Sequence, residues 1–210
     1  MVTADFNSVN LVVFIVVLLL SVGFHEAMHA FTAHWLGNPT AYEQGRLTLN
    51  PLKHLDLYTS IILPVILVLL GLPPFFVAKP VPFNPARVKY EEFGAALIGI
   101  AGPLTNFGLA VLGAIFLRGI GGQLDIGIVN AVETFVLVNV ALFVFNMIPF
   151  PPLDGSRLLY AFAPEPLQRV MYTIESGGLL TIMIFIFLLF PFLGPIIIHI
   201  DNSILRFLLS

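Results

Sequence analysis

The residues best suited to chemistry lie close together in the segment His25-Glu26-Ala27-Met28-His29. On a helix of about 3.6 residues per turn, positions four apart share a face, so both imidazoles can bind one metal ion. Glu26 lies beside them, where it can take a proton from a water molecule that the metal activates. The spacing is therefore typical of zinc-dependent hydrolysis.

The segment that carries these residues is apolar enough to lie in lipid, because residues 11–20 contain only Leu, Val, Ile and Phe. Ionisable side chains within hydrocarbon are costly, and they indicate a functional site. A single buried histidine usually has only a structural role. Three ionisable groups within five residues of a membrane helix have few structural uses, so we favour a zinc site.

The composition is that of an integral membrane protein. Of 210 residues, 58% are hydrophobic and 10% are charged, whereas soluble domains have about 25% charged residues. The net charge of -3 and the lack of a long basic run exclude nucleic acid as a partner. Because the chain has no cysteine, a metal must be bound by His, Asp or Glu.

The hydropathy pattern predicts an all-α membrane protein, a polytopic bundle of transmembrane helices. About 20 apolar residues cross a bilayer, and four of five apolar stretches are long enough. The second stretch is short and contains Pro64, so it either re-enters the membrane or crosses it once. We find no internal repeat and expect a single domain over residues 1–210. The apolar stretches are 9–36, 57–72, 94–118, 127–148 and 178–199.

The positive residues predict the orientation in the membrane. Three polar segments, 37–56, 73–93 and 149–177, contain seven of the nine Lys and Arg residues, and such residues concentrate in cytoplasmic loops. All three segments lie on the cytoplasmic side if 57–72 re-enters. If 57–72 crosses once, the end of stretch 127–148, which leads to Asp154, lies on the opposite side from the histidine pair.

Catalytic zinc usually has three protein ligands and one open position, so one ligand remains to be found. His34 and His199 lie near predicted helix ends and favour an interfacial role. His54 and Asp56 belong to a loop that could fold over the site, and they are weak candidates for direct ligation.

Asp154 is the best candidate for the third ligand. It follows Pro149, Pro151 and Pro152, which end regular helix because proline lacks a backbone donor. Irregular backbone at membrane depth is tolerated where it lines a cavity. An ordinary turn at the point where the chain leaves the membrane, with Asp154-Gly155 as turn residues, explains the same pattern. The spacing alone does not decide between a metal ligand and a turn residue.

Four motifs follow one another along the chain: His25 to His29, Gly45-Arg46-Leu47-Thr48-Leu49-Asn50-Pro51, Ala101-Gly102-Pro103-Leu104-Thr105-Asn106, and Asn146 through Leu153-Asp154-Gly155. Together they resemble the site-2 protease family of intramembrane zinc metalloproteases, in the family's order and over most of residues 20–160. The pairing of the histidine motif with a distal Asn-x-x-Pro-x-x-x-Leu-Asp-Gly is highly specific. The chain has no recognisable PDZ insertion.

The resemblance implies a three-helix catalytic core with one zinc ion per chain. It implies that His25, His29 and Asp154 are the zinc ligands and that Glu26 is the general base. It also implies that Asn146 contacts the substrate or the developing oxyanion. The third ligand is thus assigned by the resemblance, which also favours the re-entrant form of 57–72.

The sequence of residues 45–49 is compatible with a short strand or a loop next to the site. Their modest alternation favours a short β edge strand, to which an extended substrate could add its own backbone hydrogen bonds. A loop along the membrane surface explains the segment equally well.

The expected function is hydrolysis of a peptide bond within or near a transmembrane helix of a membrane-protein substrate. The expected location is the cell membrane, with the lipid bilayer as environment and the active site nearer the cytoplasmic side. The alternatives are a catalytically silent scaffold, expected to have lost Glu26 or a ligand, and a metal transporter, expected to have ligands along several helices. A di-iron oxidase needs more than the five histidines present.

Overall fold

The computed structural model describes residues 8–56, 62, 66 and 87–210. Within them, four helices are long and apolar enough to cross a membrane, and the prediction of a multi-pass helical membrane protein is confirmed. The stretch 57–72, predicted to re-enter or cross, lies outside the described residues apart from 62 and 66. The four spanning helices are Leu11–Trp35, Glu91–Gln123, Ile126–Asn146 and Leu180–Leu209.

Helix α1, Ser8–Trp35, carries the histidine pair and ends where the sequence changes from apolar residues to Gly37-Asn38-Pro39. Gly37 has a φ of 89°, a left-handed conformation that glycine adopts without strain. The amide of Asn38 donates to Ala33 O over 2.9 Å and that of Gly37 to His34 O over 3.0 Å. These two bonds form a Schellman motif, which stops the helix here.

A short connection follows α1 and folds back along it. Helix α2, Thr40–Glu43, is succeeded by a 3-10 helix, Pro51–His54, whose first turn is capped by Asn50 Oδ1 accepting from Leu52 N over 3.1 Å. The 3-10 helix packs against α1. A Cβ placed on Gly23 would lie 2.8 Å from Pro51 Cβ, so glycine is what allows this close approach.

Of the two structures predicted for residues 45–49, the edge strand is not formed and the loop is, and the part of the chain that the structure describes contains no strand. Gly45 closes a turn after α2, and the following residues run without regular structure to Asn50. The local reason is that the amide of Arg46 bonds back to Ala41 O over 2.8 Å, within the same turn, instead of pairing with another strand.

Helix α3, Glu91–Ile120, runs antiparallel to α1. Lys89 N donates to Leu36 O over 2.8 Å at one end of the pair, and Asn106 Nδ2 reaches Ser21 O over 3.2 Å deeper in the bundle. A 3-10 turn, Gly121–Gln123, leads to helix α4, Ile126–Asn146. Asp125 caps α4 by accepting from Gly127 N over 2.7 Å.

The remaining helices complete the bundle. They are α5, Ser156–Phe162, α6, Glu165–Ser176, α7, Leu179–Ile184, and α8, Phe190–Leu209, with a π-helical segment, Phe185–Leu189, before α8. A core of small and branched side chains joins α3 and α4 to the C-terminal part of α8. Its buried members are Ala110, Ala114, Val136, Val140, Val144 and Leu208.

Candidate metal centre

Three predicted ligands come together although 125 residues separate His29 from Asp154 in the sequence. Asp154 Oδ2 lies 2.9 Å from His25 Nε2 and 3.3 Å from His29 Nε2. The two Nε2 atoms lie 3.0 Å apart. Tetrahedral zinc with bonds of about 2.0 to 2.2 Å separates its nitrogen and oxygen ligands by about 3.3 Å. The described side chains therefore fit a zinc ion.

Both imidazoles are fixed from behind by hydrogen bonds at Nδ1. His29 Nδ1 lies 2.6 Å from the backbone oxygen of Ile98, and His25 Nδ1 lies 2.5 Å from Asn106 Oδ1. Oxygen acceptors at both Nδ1 atoms favour the Nδ1–H tautomers, so each neutral ring directs an Nε2 lone pair at the carboxylate. Three groups that donate electron pairs face one point, and a cation at that point stabilises all of them.

Asn106 connects the metal centre to a buried polar network. Its Nδ2 donates to Asn139 Oδ1 over 2.8 Å and to Ser21 O over 3.2 Å, which leaves Oδ1 to accept from His25. Asn139 Nδ2 in turn donates to Ser21 Oγ over 2.8 Å. All of these side chains are buried. The network links α1, α3 and α4 at the depth of the ligands and sets the ring orientation of His25.

Gly102 on α3 lies directly against the two imidazoles. A Cβ at this position would come within 2.5 Å of His29 Nε2 and 2.7 Å of His25 Nε2. The absence of a side chain leaves room in front of both nitrogens for an ion, and the next residue, Pro103, is buried inside α3.

Asp154 is positioned by a turn that folds back onto the end of α4. Gly155 N donates to Asn146 O over 2.7 Å, and a Cβ on Gly155 would overlap the backbone oxygen of Met147. The Asp154 carboxylate is directed at the histidines, with Oδ2 facing the Nε2 atoms of His25 and His29.

The helices that follow Asp154 are joined by a second polar cluster. Arg157 on α5 pairs with Glu175 on α6, and Tyr160 Oη donates to Glu175 Oε2 over 3.0 Å. Burial and the neighbouring Glu175 carboxylate raise the pKa of Tyr160. Arg157 also packs beside Gly99 of α3, where an added Cβ would lie 2.7 Å from Arg157 Cβ. These contacts hold helix α5, which follows the Asp154 turn, against α3.

Glu26 is buried next to the ligands, with 8% of its surface exposed. Oε2 of Glu26 has no hydrogen-bond partner among the described residues. A buried carboxylate oxygen without a donor, beside a triad of ligands, is suited to take a proton from a bound water molecule.

The structure also places the other residues singled out in the sequence. Asn146 lies at the last position of α4, and its Nδ2 donates to Leu142 O over 2.9 Å. His34, His54 and His199 do not belong to the group of ligands that the described residues form around Asp154. His34 instead lies near Tyr42, with 5.8 Å between ring centroids.

A family model and several known proteins match this chain. Residues 120–190, which include Asp154, match the family model described as Peptidase family M50. The chain is 33% identical over 177 residues to a Bacillus subtilis protein with the name "Putative zinc metalloprotease YwhC", covering 81% of this chain and 78% of that protein. The chain belongs to peptidase family M50, the site-2 protease family.

More distant relatives of this M50 protein occur in mycobacteria. Two proteins with the name "Putative zinc metalloprotease Rip2" are 31% identical to it in Mycolicibacterium smegmatis and 28% identical in Mycobacterium tuberculosis strain H37Rv. The alignments cover 82% and 84% of this chain, and 66% and 65% of the two relatives. No solved structure gives a significant match.

Family membership confirms the predicted enzyme class, a zinc metalloendopeptidase, and zinc as its cofactor. The roles of Gly102, Asn106 and Asn139 were not predicted from the sequence. Asn139 did have a detectable signal, because a polar residue within an apolar membrane helix marks a functional position. The backbone oxygen of Ile98, by contrast, has no signature in the sequence.

Proposed function

We propose that this M50 protein is an intramembrane protease that hydrolyses a peptide bond within or near a transmembrane helix of a membrane-protein substrate, as a step of regulated intramembrane proteolysis. The observation that carries the proposal is the convergence of His25 Nε2, His29 Nε2 and Asp154 Oδ2 at one buried point. That point lies inside a bundle of helices long enough to cross a membrane. The substrate therefore has to enter the bilayer to reach the site.

The three converging side chains, His25, His29 and Asp154, would hold the zinc ion. When bound, zinc polarises a carbonyl group and lowers the pKa of a water molecule to about 7. Glu26 acts as general base and takes a proton from the attacking water. The same carboxyl then gives that proton to the leaving nitrogen of the cleaved peptide bond.

Asn146 is proposed to contact the substrate or the oxyanion that forms on its carbonyl. Its amide nitrogen carries two hydrogens, and the bond to Leu142 O uses one. The second hydrogen can donate to an oxygen that develops negative charge in the transition state. The position also suits this role because Asn146 O accepts from Gly155 N, next to Asp154.

The substrate has to unwind locally before it is cut, because a helix keeps its carbonyls in internal hydrogen bonds. We therefore expect cleavage near Gly, Pro, Ser or Asn, which weaken a helix. His25 lies 12 residues before Gly37, or roughly 18 Å along the helix. We place this end of α1 on the cytoplasmic side of the cell membrane, in line with the Lys and Arg residues, and expect water to enter from there.

Replacing Glu26 by Gln tests the function. The purified membrane protein is reconstituted in lipid vesicles with a membrane-protein substrate, and zinc content and cleavage are both measured. Glu26→Gln should keep about one zinc per chain while cleavage is lost, because the ligands remain and only the base is removed. Glu133→Gln is the matched control, since Glu133 is an exposed glutamate on α4. Cleavage retained in Glu26→Gln contradicts the assignment of the base.

A further inference from the structure

Helix α6, Glu165–Ser176, is amphipathic, and the proposed function gives it no role. Its apolar residues Leu167, Val170, Met171 and Ile174 recur with the spacing i, i+3, i+4 and i+7, so they form one stripe along the helix. Of these four, Met171 alone is buried, whereas 47% of Leu167 and 55% of Val170 are exposed. Part of the apolar stripe therefore lies on the surface of the protein.

Helix α6 is held at the level where membrane-spanning helices end. Tyr172 Oη donates to Glu92 Oε1 over 3.0 Å, and Glu92 is the second residue of the spanning helix α3. Thr181 Oγ1 donates to Ile174 O, and Thr181 is the second residue of the spanning segment Leu180–Leu209. Since both contacts join α6 to the first turn of a spanning helix, α6 lies near the boundary between the lipid headgroups and the hydrocarbon.

The apolar stripe of α6 continues onto the surface of the last spanning segment. Ile184 and Leu188 of that segment are exposed, and exposed apolar residues of a spanning helix face lipid. The stripe and these residues share one apolar groove, which is lined by Phe150, Ile174, Thr181, Ile184, Leu188 and Leu189. The bilayer that covers Ile184 and Leu188 therefore extends to the stripe.

The charges of α6 indicate what kind of surface it fits. The helix has two acidic residues and one basic residue, Arg169, and Arg169 pairs with Glu165 over 2.6 Å. Attraction to anionic lipids requires several Lys or Arg residues. Burial of apolar surface is thus the main interaction that α6 offers, and a bilayer of zwitterionic lipid suffices for it.

Helix α6 is also connected to the zinc ligand Asp154. Glu175 on α6 pairs with Arg157 on α5, and Arg157 N donates to Asp154 O over 3.0 Å. Both residues of α5 and the turn lie close against α3, because a Cβ on Gly99 would be 2.7 Å from Arg157 Cβ and 3.0 Å from Asp154 O. A displacement of α6 is therefore passed to the segment that carries Asp154.

We propose that α6 is an interfacial helix that lies on the bilayer surface, with Leu167, Val170 and Ile174 inserted between headgroups and acyl chains, and that it anchors the Asp154 turn there. Such helices bury their apolar side about 5 to 10 Å into this boundary. The partner of the stripe is the lipid surface itself, and the contact between Glu175 and Arg157 connects that surface to the metal centre.

Spin labels on single cysteines test the position of α6, since the chain has no cysteine of its own. Leu167→Cys and Ser176→Cys are labelled and reconstituted in phosphatidylcholine vesicles. Ser176 is the matched control, because it is exposed and lies nine residues, or about 2.5 turns, after Leu167, on the opposite side of the helix. The label at position 167 should collide mainly with oxygen and the label at 176 mainly with a water-soluble nickel complex.

Two results of the labelling would overturn the proposal. Equal collision with the nickel complex at both positions shows that the stripe lies in water. A label at position 167 that is shielded from oxygen as well as from nickel shows that protein covers the stripe instead of lipid.

Zinc affinity tests the connection to Asp154. In vesicles, the double variant Leu167→Gln with Val170→Gln should bind zinc about 3- to 10-fold more weakly, a smaller effect than that of groups bonded directly to a ligand. The control is Thr173→Gln with Ser176→Gln, which changes exposed polar positions of the same helix and should keep the wild-type affinity. Glutamine favours helix in both variants.

The Glu175→Ala background separates anchoring from a general loss of stability. This variant removes the contact with Arg157, so adding Leu167→Gln and Val170→Gln should lower zinc affinity no further. Additive losses, or an unchanged affinity in the double variant alone, contradict the anchoring role. Neither the labelling nor the zinc measurement uses a substrate, so their outcome does not depend on the proposed function.

Discussion

Adding one methyl group at Gly102 should empty the metal centre while the protein stays folded. The new Cβ of Gly102→Ala would lie 2.5 Å from His29 Nε2 and 2.7 Å from His25 Nε2. Ordinary contacts between such atoms begin at about 3.5 Å, so the methyl group is roughly 1 Å too close to both rings. It also fills the space in front of the two nitrogens that have to bind the ion.

The expected loss is large because the methyl group competes directly with the metal. Changes in groups that only support metal ligands reduce affinity about 10- to 100-fold, and Gly102→Ala should exceed that range. Zinc content measured by atomic absorption should fall below about a tenth of an equivalent, and proteolysis should fall with it. The helix itself should tolerate the change, since alanine favours helix over glycine by about 1 kcal/mol.

Gly108→Ala is the matched control for Gly102→Ala. Gly108 lies on the same helix, and a Cβ there would meet no atom within 4 Å. This variant should keep its zinc and activity. If Gly102→Ala binds one zinc per chain with wild-type affinity, the close approach of α3 to the histidine pair is wrong, and so is the geometry derived from it.

Two further predictions concern the ligands and their support. Asn106→Ala removes the acceptor for His25 Nδ1, so zinc affinity measured with a competing chelator should fall about 10- to 100-fold; an unchanged affinity would refute the role of Asn106 in fixing the ring. Asp154→Ala should lose zinc, and removing zinc with a chelator should lower the Tm of the wild type but not that of Asp154→Ala, because only a protein that binds the ion is stabilised by it. Equal shifts in the two proteins would remove Asp154 from the ligand set.

The helices could be predicted well because the length of an apolar stretch decides whether it crosses a membrane. The residues at which the helices end were less predictable. The last spanning helix was expected to end at residue 199, but it continues to Leu209 because Ile204 and Leu208 pack against α3 and α4. Such a tertiary contact is not visible in local hydropathy. Residues 45–49 form the loop and not the alternative strand for a related reason, since alternation alone does not supply a partner strand.

The site was predictable where chemistry restricts the residue type. Zinc needs nitrogen or oxygen ligands, the chain has five histidines and no cysteine, and the spacing of His25 and His29 allows few other uses. The supporting contacts were not predictable in this way. Gly102 matters only through its distance to a neighbouring helix, and Ile98 contributes a backbone oxygen that any residue type would supply.

The orientation of both ligand imidazoles depends on contacts with neighbouring helices. His25 and His29 are held through Nδ1 by groups on α3, and Asn106 is held in turn by Asn139 on α4. The ring orientations are therefore fixed by contacts between helices that do not involve the ion. A substitution that loosens the packing of α1, α3 and α4, far from the ligands, should therefore lower zinc affinity as well as stability.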